Sequence, residues 1–353
     1  MRAAIIGLPQ SGKSTLFAAI TDQRIDPTMP QEHLGTVSVP DERVDFLTAL
    51  YKPKKITHAT MEFVDIPGFS LADRHGVEEF RRHLPAIRQA DLLVGVVRDF
   101  KNPAMPPYRN RIDPEADLTE LWEELVFADL ESVTNRIERL EKTLAKPSQT
   151  HEAEKREMHL MERCRAALEN MTPLSVVVTT EEEKKALSSF AFLTEKPWVV
   201  VYNVDEDRAA TVQPQTPKHA RAAIALCAET EAEIAQLDEA DRPAFLKDFG
   251  VTEPARNRVL HACLQASGRI TFLTANENEA HAWAIPRSST ALEAAAAIHA
   301  DLARGFIRAE TVAIADLRAA GDIKAAKAAG KVRQEGKTYV VQDGDVILIK
   351  FNV

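Results

Sequence analysis

At 353 residues the chain is too long for one small core, and two or three domains are expected. Its 45% hydrophobic and 27% charged residues exclude a globally disordered chain. A formal net charge of −9 excludes wholesale wrapping of nucleic acid, so any RNA contact needs a local basic patch and no DNA partner is expected. In chain order, "RAAIIG" reads as a short apolar strand and "SGKSTLFAAIT" starts a helix at once. "GTVSVP" and "HATMEFVDIPG" alternate in polarity and suit an antiparallel pair of strands, whereas "ADLLVGVVRDF" is continuous enough to be buried on both faces of a sheet. From Asp117 the texture changes. Val126, Leu130, Val133, Ile137, Leu140 and Leu144 recur every three or four residues, "KPSQ" supplies a turn, and Leu160 or Met161, Cys164, Leu168 and Met171 mark a second helix.

The strand pattern resumes with "PLSVVVT", "WVVVYN" and "AAIALCAE", and helical segments run to about Gly268. The remainder predicts short strands, a helix around residues 290–304, and a hairpin in "YVVQDGDVILIKF" turning at Gln342–Asp345. Alternating strands and helices give an α/β class with an inserted antiparallel coiled-coil hairpin and a small α+β C-terminal domain. The boundaries so read are 1–116 and 172–268 for a nucleotide-binding domain, 117–171 for the insertion, and 269–353 for the last domain. Cys164, Cys227 and Cys263 are scattered without metal or redox spacing, which fits free thiols in a reducing compartment. With no leader-like start and no apolar run near the roughly 20 residues that span a bilayer, a cytoplasmic location and no membrane partner are expected.

Gly7-Leu8-Pro9-Gln10-Ser11-Gly12-Lys13-Ser14 matches the phosphate-binding pattern G-x-x-x-x-G-K-[ST] at every fixed position, between a strand and a helix. The glycines let backbone N–H groups converge on phosphates at a helix N-terminus, so Gly7, Pro9, Gln10, Ser11, Gly12 and Thr15 belong to the phosphate cradle. Lys13 is expected to reach the β- and γ-phosphates as the catalytic cation, and Ser14 to ligate Mg²⁺. Asp65-Ile66-Pro67-Gly68 closes a later strand, where Asp65 can hold Mg²⁺ and the Gly68 amide can sense the γ-phosphate. Thr28 is the expected switch threonine and third metal-site residue, with Thr21 and Thr36 as other hydroxyls nearby. Phe69 stands where many such proteins place a water-orienting glutamine, so hydrolysis is expected to be slow, to use another residue, or to need a partner.

The strand at "WVVVYN" ends in Asn203-Val204-Asp205-Glu206, where guanine-specific proteins carry N-K-x-D. Val204 replaces the lysine that covers the base, and Glu206 replaces the aspartate that pairs with guanine. The Asn203 amide offers adenine both an acceptor and a donor, and Asp205 is a second carboxylate in reach. Cys227, Ala228 and Glu229 end the next strand, where backbone amides line a base pocket. The residues alone therefore say "not strictly GTP". From Arg318 to Lys337 six Lys or Arg face two acidic residues, enough for a basic loop that touches rRNA phosphates or for an ordinary solvated surface.

Together these stretches resemble the YchF/Obg-like ATPase family of P-loop NTPases over nearly the whole chain. "GLP..GKSTLF", "VPD.R.D", "EFVDI.G", "VVR.F", "DP..D" and "LT.KP" fall in order, and "IH.D...GFIRAE", "GK.R.EGK.YVVQDGD" and "FNV" follow. The resemblance implies a Ras-like G-domain sheet, a coiled-coil insertion and a ubiquitin-like TGS domain. It also implies ATP as preferred ligand and substrate, Mg²⁺ as cofactor, and association with ribosomes. Several departures are visible. "FSLADRHGVEEFRRH" replaces a glycine-rich loop, Pro107 or Tyr108 stands where the family tends to carry a histidine proposed to assist hydrolysis, and residues 24–35 lack the family's switch-loop cysteine. Three readings stay open: a slow Mg²⁺-dependent ATPase, a nucleotide-gated ribosome-binding module with negligible hydrolysis, and a translation-associated GTPase.

Overall fold

Apolar runs too short for helices form the parallel strands that position everything else. In the computed structural model, which describes residues 1–23, 31–71, 74–145, 151–237, 241–242 and 254–352, the first sheet has the order β2-β4-β1-β5-β6-β7. Its strands are β1 (Arg2–Ile6), β2 (His33–Ser38), β4 (Thr60–Asp65), β5 (Leu92–Asp99), β6 (Trp198–Val204) and β7 (Ala222–Leu226), while β3 (Lys55–Thr57) lies elsewhere. β1 runs parallel to β4 and β5, and β6 parallel to β5 and β7. Every residue of β6 is buried, as expected of a strand covered on both faces. Ligands of open parallel sheets bind beyond the carboxyl ends of the strands, and here those ends carry Asp65, Asp99 and Asn203–Val204.

The helices along this part of the chain are α1 (Lys13–Thr21), α2 (Glu42–Tyr51), α3 (Arg74–Gln89), α4 (Pro114–Leu144), α5 (His151–Glu169), α6 (Leu174–Val177), α7 (Glu181–Leu187), α8 (Glu206–Ala209) and α9 (Ala228–Gln236). The coiled-coil expectation falls on α4 and α5. Val126, Val133, Ile137 and Leu140 of the first pack in one cluster with Leu160, Met161, Cys164 and Leu168 of the second. The helix starts three residues before the expected Asp117 because Asp113 caps it, accepting from Ala116 N–H at 3.1 Å, and Pro114 takes the first position, where its missing N–H costs nothing. Asp117, buried behind that cap beside Arg111 at 3.1 Å, is pushed up to about 6 by its desolvation.

Where α4 meets the sheet, Trp122 stacks between Trp198 at 5.7 Å and His219 at 4.4 Å. Two turns on, Asp129 is fully buried and accepts from Leu193 N–H (3.0 Å), Thr194 N–H (2.8 Å) and the Thr194 hydroxyl (3.0 Å), and it faces Arg88 of α3 at 3.1 Å. One carboxylate thus ties the insertion to the loop before β6 and to a sheet-covering helix. "PLSVVVT" is not a strand. Pro173 starts the short helix α6 instead, with Leu174 buried and Val176 63% exposed, so the run has only one apolar side to hide.

Two compact units divide the chain, Met1–Gly35 with Glu62–Val259 and Thr36–Met61 with Leu260–Val353. Residues 36–61, read from sequence as part of the nucleotide-binding domain, group instead with the C-terminal segment. The second unit holds a mixed sheet of order β11-β10-β12-β8-β9-β3, with β8 (Arg269–Ala275), β9 (Glu279–Pro286), β10 (Phe306–Ala313), β11 (Arg333–Glu335) and β12 (Asp345–Phe351). Successive residues point to opposite faces. Phe272 and Ile347 pack under the helix Ala291–Ile298, and Leu273 and Val346 pack under Val44 and Leu47 of α2. The helix expected over 290–304 breaks at His299, whose φ of −165° is extended. The expected final hairpin does not form. Val340 makes one isolated bridge to Thr290, and β12 pairs with β10 and β8. The turn itself is present, with Gly344 at φ +81° and buried Asp345 accepting from the Tyr339 hydroxyl at 2.7 Å and Gln342 N–H at 2.9 Å.

Candidate functional site

The phosphate loop joins β1 to α1, and its backbone is as unusual as the motif requires. Gln10 (φ +61°) and Gly12 (φ +88°) are left-handed, and a Cβ at Gly12 would overlap Asn203 Nδ2. Gly12 also starts α1, where no side chain caps the first turn, so its N–H groups and the positive end of the helix dipole are left for an anion. Lys13 is 5% exposed, and its ammonium donates to the Leu8 carbonyl at 3.0 Å. Burial pushes this lysine down to about 8, against the pull of Asp65, so it is a desolvated cation with one neutral partner. A Cβ at Gly68 would come within 2.9 Å of Lys13 Nζ and 3.2 Å of Pro9 Cα. The glycine of D-x-x-G therefore packs directly on the phosphate loop.

Asp65 is 2% exposed at the end of β4, in register with Ile5 of β1. Its Oδ1 is buried without a hydrogen-bond partner. Desolvation raises its pKa, opposed by the Ser14 hydroxyl and the charges of Lys13 and His33, whose Nδ1 lies 3.9 Å from Oδ2. An orphaned carboxylate oxygen beside a serine hydroxyl is a hard-oxygen pair that fits Mg²⁺, an ion that takes one or two protein oxygens and fills its sphere with phosphate and water. No cluster of three His, Cys, Asp or Glu suited to a metal occurs among the described residues. Thr28 lies outside the described residues, and Thr21 spends its hydroxyl on the Phe17 carbonyl at 2.8 Å. Phe69 is buried with its ring 4.6 Å from that of Phe80, so this position turns into the core rather than toward the phosphates.

Beside Gly12 and Thr15 opens a cavity of about 510 Å³. Its floor is Asn203–Glu206, one wall is Cys227 with Glu229, Thr230 and Glu233, and the other is Phe100, Lys101, Asn102 and Met105. The candidate base residues thus converge with the phosphate loop, and Asn203 is bonded to it directly. Asn203 Nδ2 donates to the Ser11 carbonyl at 3.1 Å, and its Oδ1 accepts from Ala228 N–H at 2.9 Å. One donor and one acceptor of the amide thus brace the phosphate loop against the start of α9, and the Ala228 N–H is spent on that brace, while the amide keeps a second N–H and a second lone pair. Val204 is fully buried, and Asp205 Oδ1 accepts from Lys101 N–H at 2.9 Å. Glu206, Cys227 and Glu229 remain for a base to meet. The Phe100–Met105 wall was missed from sequence. It is held by Arg98, which donates to the carbonyls of Phe100 (3.2 Å) and Met105 (2.8 Å) and stacks on the Phe100 ring at 4.4 Å. The available signal was that "ADLLVGVVRDF" and "WVVVYN" are both continuous apolar strands, whose carboxyl ends the register Arg98↔Asn203 then places side by side.

The basic stretch Arg318–Lys337 is two short helices and a strand, not a loop, and most of its charge is committed. Arg318 pairs with Glu42 (3.3 Å), Lys327 with Glu310 (3.1 Å), Lys331 with Asp316 (3.1 Å) and Arg333 with Glu335 (3.0 Å). Among the described residues, Lys324 and Lys337 alone of the six have no ion pair.

A buried lysine facing a D-x-x-G glycine, with a base-sized cavity one helix turn away, defines the class as a P-loop NTPase. Residues 2–136 match the sequence profile described as a 50S ribosome-binding GTPase, and residues 269–352 match the C-terminal domain of YchF GTPases, described as a protein of unknown function. The ribosome-binding ATPase YchF of Bacillus subtilis (strain 168) is 38% identical over 372 residues, covering all of both chains. Its counterpart in Haemophilus influenzae is 38% identical over 363 residues, covering all of this chain and 99% of that one. The structure of the Schizosaccharomyces pombe YchF GTPase superposes with a TM-score of 0.83 at 25% identity, covering 99% of this chain and 97% of its own. The chain belongs to the YchF family. Among the described residues no helix is long and apolar enough to cross a membrane.

Proposed function

We propose that this protein binds ATP with Mg²⁺ at the edge described above, hydrolyses it slowly, and associates with ribosomes in the cytoplasm according to the nucleotide it holds. The observation that carries the reading is the buried Lys13 ammonium packed between the Leu8 carbonyl and Gly68. The backbone of Gly7, Pro9, Gln10, Ser11, Gly12 and Thr15 would cradle the phosphates, with Lys13 on the terminal pair and Gly68 beside the last one. Ser14 and Asp65, with Thr28, would hold Mg²⁺, which when bound offsets charge developing on the β- and γ-phosphate oxygens. Lys13 stabilises that charge from a site poor in water, where electrostatic attraction is strong. No side chain at Phe69 orients the attacking water, which keeps the intrinsic rate low. The relatives' printed name, ribosome-binding ATPase, supports both the base and the partner. Any rRNA contact would fall on the uncommitted Lys324 and Lys337. The functional division remains a nucleotide-binding sheet, a coiled-coil arm and a C-terminal TGS domain.

GTP is the second reading, and one observation favours it. The carboxylates of Glu206 and Glu229 and the Cys227 thiol at the cavity accept from N–H groups that adenine and guanine both carry. Calorimetric titration of ATP and GTP decides between them. ATP is expected to bind at least tenfold tighter, and tighter GTP binding would sink the ATP assignment. Asn203→Ala is expected to weaken both nucleotides by a similar factor. Unpairing the Ser11 carbonyl and Ala228 N–H costs about 1–3 kcal/mol, roughly tenfold or more in affinity. A loss confined to ATP would mean that the amide reads adenine after all.

A further inference from the structure

The loop that begins at Gly68 is linked near its other end to the insertion through the Tyr108 hydroxyl. Leu71 N–H donates to the Tyr108 oxygen at 3.0 Å, and the Tyr108 hydroxyl donates onward to Glu120 Oε1 at 2.9 Å. Glu120 stands in the second turn of α4 and is shared with Arg109, whose Nη2 donates to the same oxygen at 2.8 Å, while Arg111 lies 3.8 Å from Oε2. The segment that presents Tyr108 is bent to do so. Arg109 and Asn110 both sit in the left-handed region, at φ +52° and +53°, a conformation that non-glycine residues keep only when their surroundings hold them there.

The two ends of the Gly68–Leu71 loop are thus fixed by different things. Gly68 packs on Lys13 and Pro9 of the phosphate loop, and Phe69 is buried against Phe80. Leu71, three residues from Gly68, rests its side chain on the core and gives its N–H to Tyr108. A hydrogen bond of this length is lost when its partners part by about an ångström, so the hydroxyl can hold the loop in only one place. We propose that Tyr108 is a positioning residue for hydrolysis: its hydroxyl sets where the Gly68–Leu71 loop stands beside the terminal phosphate and passes that position to α4 through Glu120. The inference rests on the nucleotide-binding reading above. It assigns the tyrosine no contact with the reacting atoms.

Tyr108→Phe removes the hydroxyl and keeps the ring. In the full-length, nucleotide-free protein, hydrogen exchange at the Leu71 amide is expected to quicken at least tenfold. With ATP, kcat is expected to fall about three- to tenfold while ATP affinity stays within twofold, because a misplaced loop spoils geometry without removing a phosphate contact. Glu120→Gln keeps an oxygen for the hydroxyl and is expected to stay within twofold of the parent. Glu120→Ala is expected to reproduce Tyr108→Phe, and the double variant to be no worse than either alone. Unchanged Leu71 exchange in Tyr108→Phe would show that no tie exists. Quickened exchange with unchanged kcat, or equal losses in affinity and kcat, would reduce the tie to ordinary structure. Each of these overturns the proposal in a protein that binds ATP, whereas a parent chain that binds no nucleotide overturns the functional reading itself.

Discussion

Replacing Lys13 with alanine is expected to weaken triphosphate binding by a factor of about a hundred to a thousand, with the fold retained. The ammonium is held dry, with the Leu8 carbonyl at 3.0 Å as its hydrogen-bond partner among the described residues, and burial has already pushed it down to about 8. A phosphate arriving there replaces a neutral acceptor with charged ones, and each charge-assisted bond is worth about 1.5–3 kcal/mol. Two such bonds total about 3–6 kcal/mol, and subtracting about 0.5–1.5 kcal/mol for the Leu8 carbonyl bond they replace brings the net to the factor stated. Stability should move little, because relief of a desolvated lysine offsets the loss of a cation whose charge acts on Asp65. Calorimetric titration gives the affinity and urea unfolding the stability. Binding that survives within tenfold would mean that the phosphates lie elsewhere.

The second large effect concerns the fold. Asp129→Ala is expected to cost about 3–5 kcal/mol of unfolding free energy, the range for breaking a buried, hydrogen-bonded charge pair. The loss is not one bond. Leu193 N–H, Thr194 N–H and the Thr194 hydroxyl all lose their acceptor inside the protein, and among the described residues Arg88 keeps neutral partners, the Phe190, Ala191 and Ala128 carbonyls and the Ser132 hydroxyl. Asp129→Asn retains one acceptor oxygen and should cost less than the alanine variant. Urea unfolding at constant m value is the measurement, and a shift under 1 kcal/mol would show that the insertion is seated by its apolar stripe alone.

How much of this was legible in the sequence depends on how local each cause is. The phosphate loop was fully readable, since a tight backbone, a lysine and a hydroxyl must follow one another at fixed spacing. The two-helix insertion was readable for the same reason, its period being carried by Val126, Val133, Ile137 and Leu140. What failed depends on distant partners. Nothing local in "KKITH" says that β3 pairs with β9, or that the Thr57 hydroxyl reaches Glu279 at 2.6 Å across 222 positions. At Asn203 the residue type pointed to the right place, but which atoms its amide would meet was decided by Ser11 and Ala228. The basic tail showed its composition and concealed its pairing, because Glu42, Glu310 and Asp316 lie outside residues 318–337. "PLSVVVT" was misread because a short apolar run has the same appearance in a strand and in a half-buried helical turn.

The stack at the base of α4 gives the protein an optical property. Two of the three tryptophans, Trp122 and Trp198, are close enough to exchange excitation, and both report on the same junction between the insertion and the sheet. His219 covers the far face of Trp122, and burial together with Lys218 holds that imidazole below its usual pKa, hence neutral and a weak quencher at ordinary pH. Trp283 lies in the other unit, against His281 at 3.6 Å. With Trp283 replaced by phenylalanine, the chain would light up from one place only, and any shift in how the coiled-coil arm is seated would be read from its own emission without a label.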